Sequence, residues 1–210
     1  MKILGIDSST PIASAAVLDD GNLLASGESD AAGHRADLLV LIDRVCREAG
    51  VAPLQLDAIA IGAGPGSFTG LRIGMATAKG IAFAAGKPLW GVSSLAALAY
   101  PVDKPHVVAV LDARRGELYA GVYRRAPFAL DGEERLIAPA DLATFSQGGV
   151  TVGDYEGLAI AARPTATAVA QLAFAGSRVD ILVAGAPTYI RASEAEIRYP
   201  DGVPGALRKR

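Results

Sequence analysis

A chain of 210 residues is long enough for one large domain or two small lobes around a substantial core. Hydrophobic residues make up 51% of it, yet no run approaches the roughly 20 apolar residues of a membrane span, so the excess is expected to be buried otherwise. A net charge of −2 argues against a surface that itself supplies most of the affinity for a polyanion, and the single cysteine, Cys46, excludes an internal disulfide.

Residues 2–6 read as a buried strand ending at Asp7, and the stretch turns polar too early for a signal peptide, so a cytoplasmic protein is expected. Residues 13–18 form a second strand, and Asp19-Asp20-Gly21-Asn22 a hairpin turn into a third over 23–26. From 35 to 49 the pattern becomes helical. Leu38, Leu41, Ile42, Val45 and Ala49 make one stripe, flanked by Leu39 and Cys46, while Val40 sits on the polar side.

A strand-like run over 58–61 then meets a glycine-rich turn and a helix that reaches Gly86. Strand, glycine turn and helix N-terminus together are the usual build of an anion site. No Gly-Lys-Ser/Thr ends the turn, and no G-x-G-x-x-G frame fits it, so it is neither a P-loop nor a dinucleotide fingerprint. Leu71, Met75, Ala78, Ala82 and Ala85 share one face of the helix; Ile73, Ala76, Gly80, Phe83 and Ala84 share the opposite one. Only Arg72 and Lys79, with Thr77 on the far side, interrupt this apolar surface. Such a helix must be covered nearly all round, either by its own chain or by a partner.

Residues 88–92 form a short strand, and Ser93-Ser94 cap a helix to Tyr100. The prolines at 101 and 105 mark the expected boundary between lobes 1–101 and 102–210, the second ending in the basic tail Arg208-Lys209-Arg210. Residues 107–111 followed by Asp112 repeat the opening theme, with a turn at Arg115-Gly116 and a strand over 118–124. A short helix over 142–145, a strand over 149–152 and a helix over 165–175 complete the second lobe. The expected fold is therefore α/β, with two lobes that each open on a strand, an acid and a hairpin. That is the layout of the actin, heat-shock ATPase and sugar-kinase superfold, here with a reduced second lobe.

Gly64-Pro65-Gly66-Ser67-Phe68-Thr69-Gly70-Leu71-Arg72-Ile73-Gly74 closely resembles the signature of the bacterial TsaB (YeaZ) family. Ile6-Asp7-Ser8-Ser9-Thr10, His34-Arg35, Asp112-Ala113-Arg114-Arg115-Gly116-Glu117 and Pro187-Thr188-Tyr189-Ile190-Arg191 match in order. The resemblance implies a role in making threonylcarbamoyladenosine on tRNA as a non-catalytic relative of the transferase TsaD. The implied partners are a TsaD-type paralogue, a TsaE-type ATPase through the complex, tRNA indirectly, and a second copy when the chain is alone. It implies no catalytic residue and no metal here, with ATP or ADP and metal supplied in the complex. TsaD holds a metal through H-x-x-x-H, whereas four residues beyond His34 stands Leu38, and the only other histidine is His106. The expected partner surface comprises Leu39, Val40, Ile73, Ala76, Gly80, Phe83 and Ala84. Asp7, Ser8, Gly66, Ser67 and Asp112 are candidate contacts for a nucleotide phosphate, although no glycine follows Asp7 as it does in the ATPases of the superfold. Two other readings stay open. A small-molecule kinase would use Asp7 and Asp112 for magnesium or as base, and a glycoprotease-type metalloprotease would need the histidine pair that is missing.

Overall fold

The structure is a computed structural model that describes residues 1–29 and 38–191. The first sheet is built from β1 (Lys2–Asp7), β2 (Ser14–Asp19), β3 (Asn22–Glu28), β4 (Ala58–Gly64) and β5 (Leu89–Ser93). Its order is β5-β4-β1-β2-β3, with β1, β2 and β3 antiparallel and β4 and β5 added parallel to β1. The turn from β2 to β3 places Asp20 at φ 45° and Gly21 at φ 80°, the paired positive angles that a tight hairpin needs. Between β3 and β5 the chain makes α1 (Leu38–Glu48) and α2 (Phe68–Ala85). Ser67 caps α2 at its start and Gly86, at φ 65°, ends it.

The second sheet repeats this plan. It comprises β6 (His106–Asp112), β7 (Leu118–Arg125), β8 (Phe128–Leu130), β9 (Arg135–Ile137), β10 (Val150–Gly153) and β11 (Ile160–Ala161), ordered β8-β7-β6-β10-β11 with β9 also on β7. Again an antiparallel hairpin is extended by parallel strands. What is reduced is the helical cover: α4 (Leu142–Ser146) spans five residues against eleven in α1, and no helix stands between β10 and β11 where α2 stands between β4 and β5. The chain has the actin and sugar-kinase-like fold, with its second lobe diminished.

Alternation along β1 splits the first core in two. Leu4 and Ile6 pack with Val45, Met75 and Ala82 under α1 and α2, and Ile3 packs on the other face with α5 (Ala166–Phe174). That position corrects the expected division of the chain, because the helix assigned to residues 102–210 returns to the first sheet. Small residues make the return possible. A Cβ on Gly5 would overlap the Ala166 carbonyl oxygen and lie 2.9 Å from the Ala170 Cβ. The edge strand β12 (Val179–Asp180) follows it, antiparallel to β5. A third core joins the sheets through α3 (Ser94–Ala99), whose Leu95 and Leu98 meet Val107, Leu111 and Tyr123. No helix among the described residues is long and apolar enough to cross a membrane. His34 and the basic tail lie outside the described residues.

Candidate functional site

The glycine-rich turn closes on the chain itself. Gly66, Gly70 and Gly74, spaced by four, form a row that receives the turn after β1. A Cβ on Gly66 would overlap the Ser9 carbonyl oxygen, one on Gly70 the Ser8 carbonyl oxygen, and one on Gly74 the Ser8 hydroxyl. The Ser8 hydroxyl donates to the Gly70 carbonyl at 2.9 Å, and the Ser67 N–H donates to the Ser9 carbonyl at 2.7 Å. The Gly70 N–H in turn donates to the Ser67 hydroxyl at 3.4 Å. Two of the backbone donors at the start of α2, the Ser67 and Gly70 N–H groups, are thus engaged within the protein.

Asp7 lies beneath this closure and is fully buried. Its Oδ1 accepts from the Ser9 N–H at 3.1 Å and the Ser9 hydroxyl at 2.8 Å, while Oδ2 has no hydrogen-bond partner. Burial pushes its carboxyl up to about 6, and the two Ser9 donors restrain the rise. Asp7 and Ser8, two of the expected phosphate contacts, are both buried beneath the glycine-rich turn, with Ser8 and Ser9 where the ATPases of the superfold have a glycine. Gly66 and Ser67 remain half-buried around them. Asp112 stands apart on the second lobe, accepting from the Arg114 N–H at 2.7 Å and donating its own N–H to Asp154 at 2.8 Å. Desolvation raises the Asp154 carboxyl from its ordinary value.

Asp7 carries a pH prediction. Its folded pKa, about 6, exceeds the ordinary 3.8, so the stability linked to this group is fully present below pH 3.8 and is lost as pH rises through 6. The loss amounts to roughly 2 kcal/mol between pH 4 and pH 7. Asp7→Asn keeps an acceptor for Ser9 and should lack this loss. Denaturant melts of both proteins at pH 4 and pH 7 check it; equal pH slopes would refute the buried charge.

The second feature is an open apolar face. On α2, Leu71, Met75, Ala78 and Ala82 are buried, whereas Ala76, Gly80, Phe83 and Ala84 are exposed and Ile73 is half-exposed. Phe83 is 63% exposed, and Leu39 and Val40 on α1 are 58% and 66% exposed, so no part of the described chain covers them. Between the helices runs an apolar cavity of about 760 Å³, lined by Leu39, Ile42, Cys46, Leu54, Ile81 and Ala84. Cys46 is 4% exposed, and burial raises its thiol pKa.

Further contacts were not read from the sequence, although Arg72, Glu117 and residues 187–191 stand in the stretches that carry the family resemblance. Glu134 accepts short hydrogen bonds from both Ser93 at the end of β5 and Tyr123 on β7, tying the lobes together; burial and Glu134 push the Tyr123 hydroxyl well up. Residues 182–191 form a strap across the glycine turn: the Thr188 N–H donates to the Ala63 carbonyl at 2.7 Å and Lys79 Nζ to the Gly185 carbonyl at 2.7 Å. Arg191 ends the strap by donating to the Ala113 and Arg114 carbonyls and pairing with Glu117. Arg72 reaches the strap as well, its Nε donating to the Tyr189 hydroxyl at 3.2 Å.

A family model described as TsaD, tRNA N6-adenosine threonylcarbamoyltransferase, matches residues 28–199. The chain is 37% identical over 129 residues to the tRNA threonylcarbamoyladenosine biosynthesis protein TsaB of Escherichia coli, covering 60% of this chain and 56% of that one. With the Haemophilus influenzae TsaB the identity is 38% over 123 residues, 57% of this chain and 52% of the other. These alignments span about half the length of the curated relatives. The solved structure of YeaZ from Pseudomonas aeruginosa superposes with a TM-score of 0.76 at 31% identity, over 90% of this chain and 99% of that one.

Proposed function

The chain belongs to the tRNA N6-adenosine threonylcarbamoyltransferase (TsaD) family, on its TsaB/YeaZ branch, and from that premise we propose that it serves threonylcarbamoyladenosine formation on tRNA as a non-catalytic subunit that binds and activates a TsaD-type paralogue. The observation that carries this reading is the open face of α1 and α2. Ala76, Gly80 and Ala84 form an i, i+4 row of small residues against which a partner helix can approach closely. Phe83 beside it is an exposed aromatic anchor, and covering such a side chain contributes roughly 1.5–3 kcal/mol. A face of this kind left in water favours association.

The sealed Asp7 supports an accessory role over a small-molecule kinase, since a magnesium or base carboxylate must meet its substrate. Nucleotide, metal and a TsaE-type ATPase belong, on this reading, to the assembled complex. In the absence of the paralogue, a second copy is the expected occupant of the same face. Reconstitution with the TsaD-type paralogue of the same organism, tRNA and a threonylcarbamoyl donor tests the role. The paralogue's activity should rise when this chain is added, and the chain alone should modify nothing. Modification by the chain alone, or indifference of the paralogue to it, defeats the proposal.

A further inference from the structure

Arg72 begins the exposed row that continues as Ala76, Gly80 and Ala84. It is the one cation on that row, because Lys79 is turned aside to the Gly185 carbonyl. Its guanidinium is already aimed: the carbon lies 4.0 Å from the Phe68 ring centroid, and Nε donates to the Tyr189 hydroxyl at 3.2 Å. Phe68 and Tyr189 are themselves in ring contact, with centroids 5.1 Å apart. No carboxylate among the described residues forms an ion pair with Arg72, and its terminal amino groups donate to none of them.

We propose that Arg72 is a docking point for one carboxylate side chain, Asp or Glu, on the protein partner that covers α2. The inference rests on the proposed association and specifies its chemistry. A helix laid over Ala76 and Gly80 removes water from Arg72 one turn away, and a desolvated guanidinium without a counter-charge opposes binding strongly. A guanidinium stacked on one ring and tethered through Nε to another presents its two terminal amino groups as a preformed fork for a bidentate acceptor. A carboxylate fits better than a phosphate. The neighbouring Ser67 and Gly70 N–H groups, which a phosphate would also use, already donate within the protein. Tyr189 acts as a positioning residue, held by the strap through Thr188 and Arg191.

Calorimetric titration of the full chain into the purified TsaD-type paralogue tests this, with variants Arg72→Ala, Arg72→Lys, Tyr189→Phe and Ala76→Arg. Arg72→Ala should weaken binding roughly 10- to 100-fold, with Arg72→Lys recovering only part and Tyr189→Phe losing roughly threefold. Substituting the paralogue's Asp and Glu residues one at a time should uncover one position at which the Arg72→Ala effect disappears. Arg72 is exposed, so thermal melts of its variants should match the native chain. Arg72→Lys keeps the stem and charge, and it decides the question if the Ala variant melts early. Native affinity in Arg72→Ala, alongside loss in Ala76→Arg, overturns the carboxylate contact and leaves the association standing. Failure of the native chain to bind overturns both. Competition by inorganic phosphate at about 10 mM, without any coupled carboxylate, marks a phosphate site instead and also overturns the proposal.

Discussion

Gly80→Leu should abolish association with the paralogue and yet leave a monomer that melts slightly higher than the native chain. Gly80 is exposed in the middle of α2, and a Cβ built there meets nothing within 4 Å. Leu is favoured over Gly inside a helix by roughly 0.8 kcal/mol, which corresponds to a rise of about 2 °C in a domain of this size. Across an interface the same isobutyl group would hold two backbones apart along the row, and the contacts of Ala76 and Ala84 would be lost with it. Met75→Arg supplies the contrast. Met75 is 5% exposed within the first core, so a charge there should unfold the lobe, at a cost of about 4 kcal/mol or more. Melts of both variants, paired with size-exclusion runs against the paralogue, decide the matter. A Gly80→Leu protein that unfolds as readily as Met75→Arg would mean that the face is internal. One that still binds would place the interface elsewhere.

The two faces of α2 were legible because helical periodicity is local: a 3.6-residue repeat separates Met75 from Ala76 whatever lies beyond. Whether the second face was covered was not legible, and the structure leaves it open. The destination of α5 escaped for a related reason. Ala166, Ala168, Ala170 and Ala173 are all buried and small, so no stripe distinguishes the sheet they pack on, and proximity in sequence pointed to the wrong lobe. The two-lobed plan was read from a repeated strand, acid and hairpin, and the matching strand orders of the two sheets bear it out. Site chemistry was harder. Arg72 and Tyr189 are 117 residues apart, and Ser93 and Glu134 are 41 apart, separations at which nothing local announces a contact. Asp7 was visible as an acid at a strand end. Its burial depends on Ser8 and Ser9 folding under α2.

Gly70→Ala should destabilise the fold by about 3 kcal/mol, a fall of roughly 10 °C in melting temperature, although Ala is the better helix former by about 1 kcal/mol. Propensity alone predicts the opposite sign, so the direction is diagnostic. The obstacle is the Ser8 carbonyl oxygen, a backbone atom fixed by β1, and α2 could accept a methyl group only by moving away from its own sheet. Gly74→Ala meets the Ser8 hydroxyl instead, a side-chain atom that can rotate aside at the cost of its 2.9 Å bond to the Gly70 carbonyl. The loss there should be smaller, and Ser8→Gly should rescue much of it while doing nothing for Gly70→Ala. A glycine turn kept for phosphate would behave otherwise. Gly70→Ala would then leave the melting temperature at or above the native value and abolish nucleotide binding. Instability without a nucleotide effect means that the glycine row exists to seat the turn after β1 of its own chain against the start of α2.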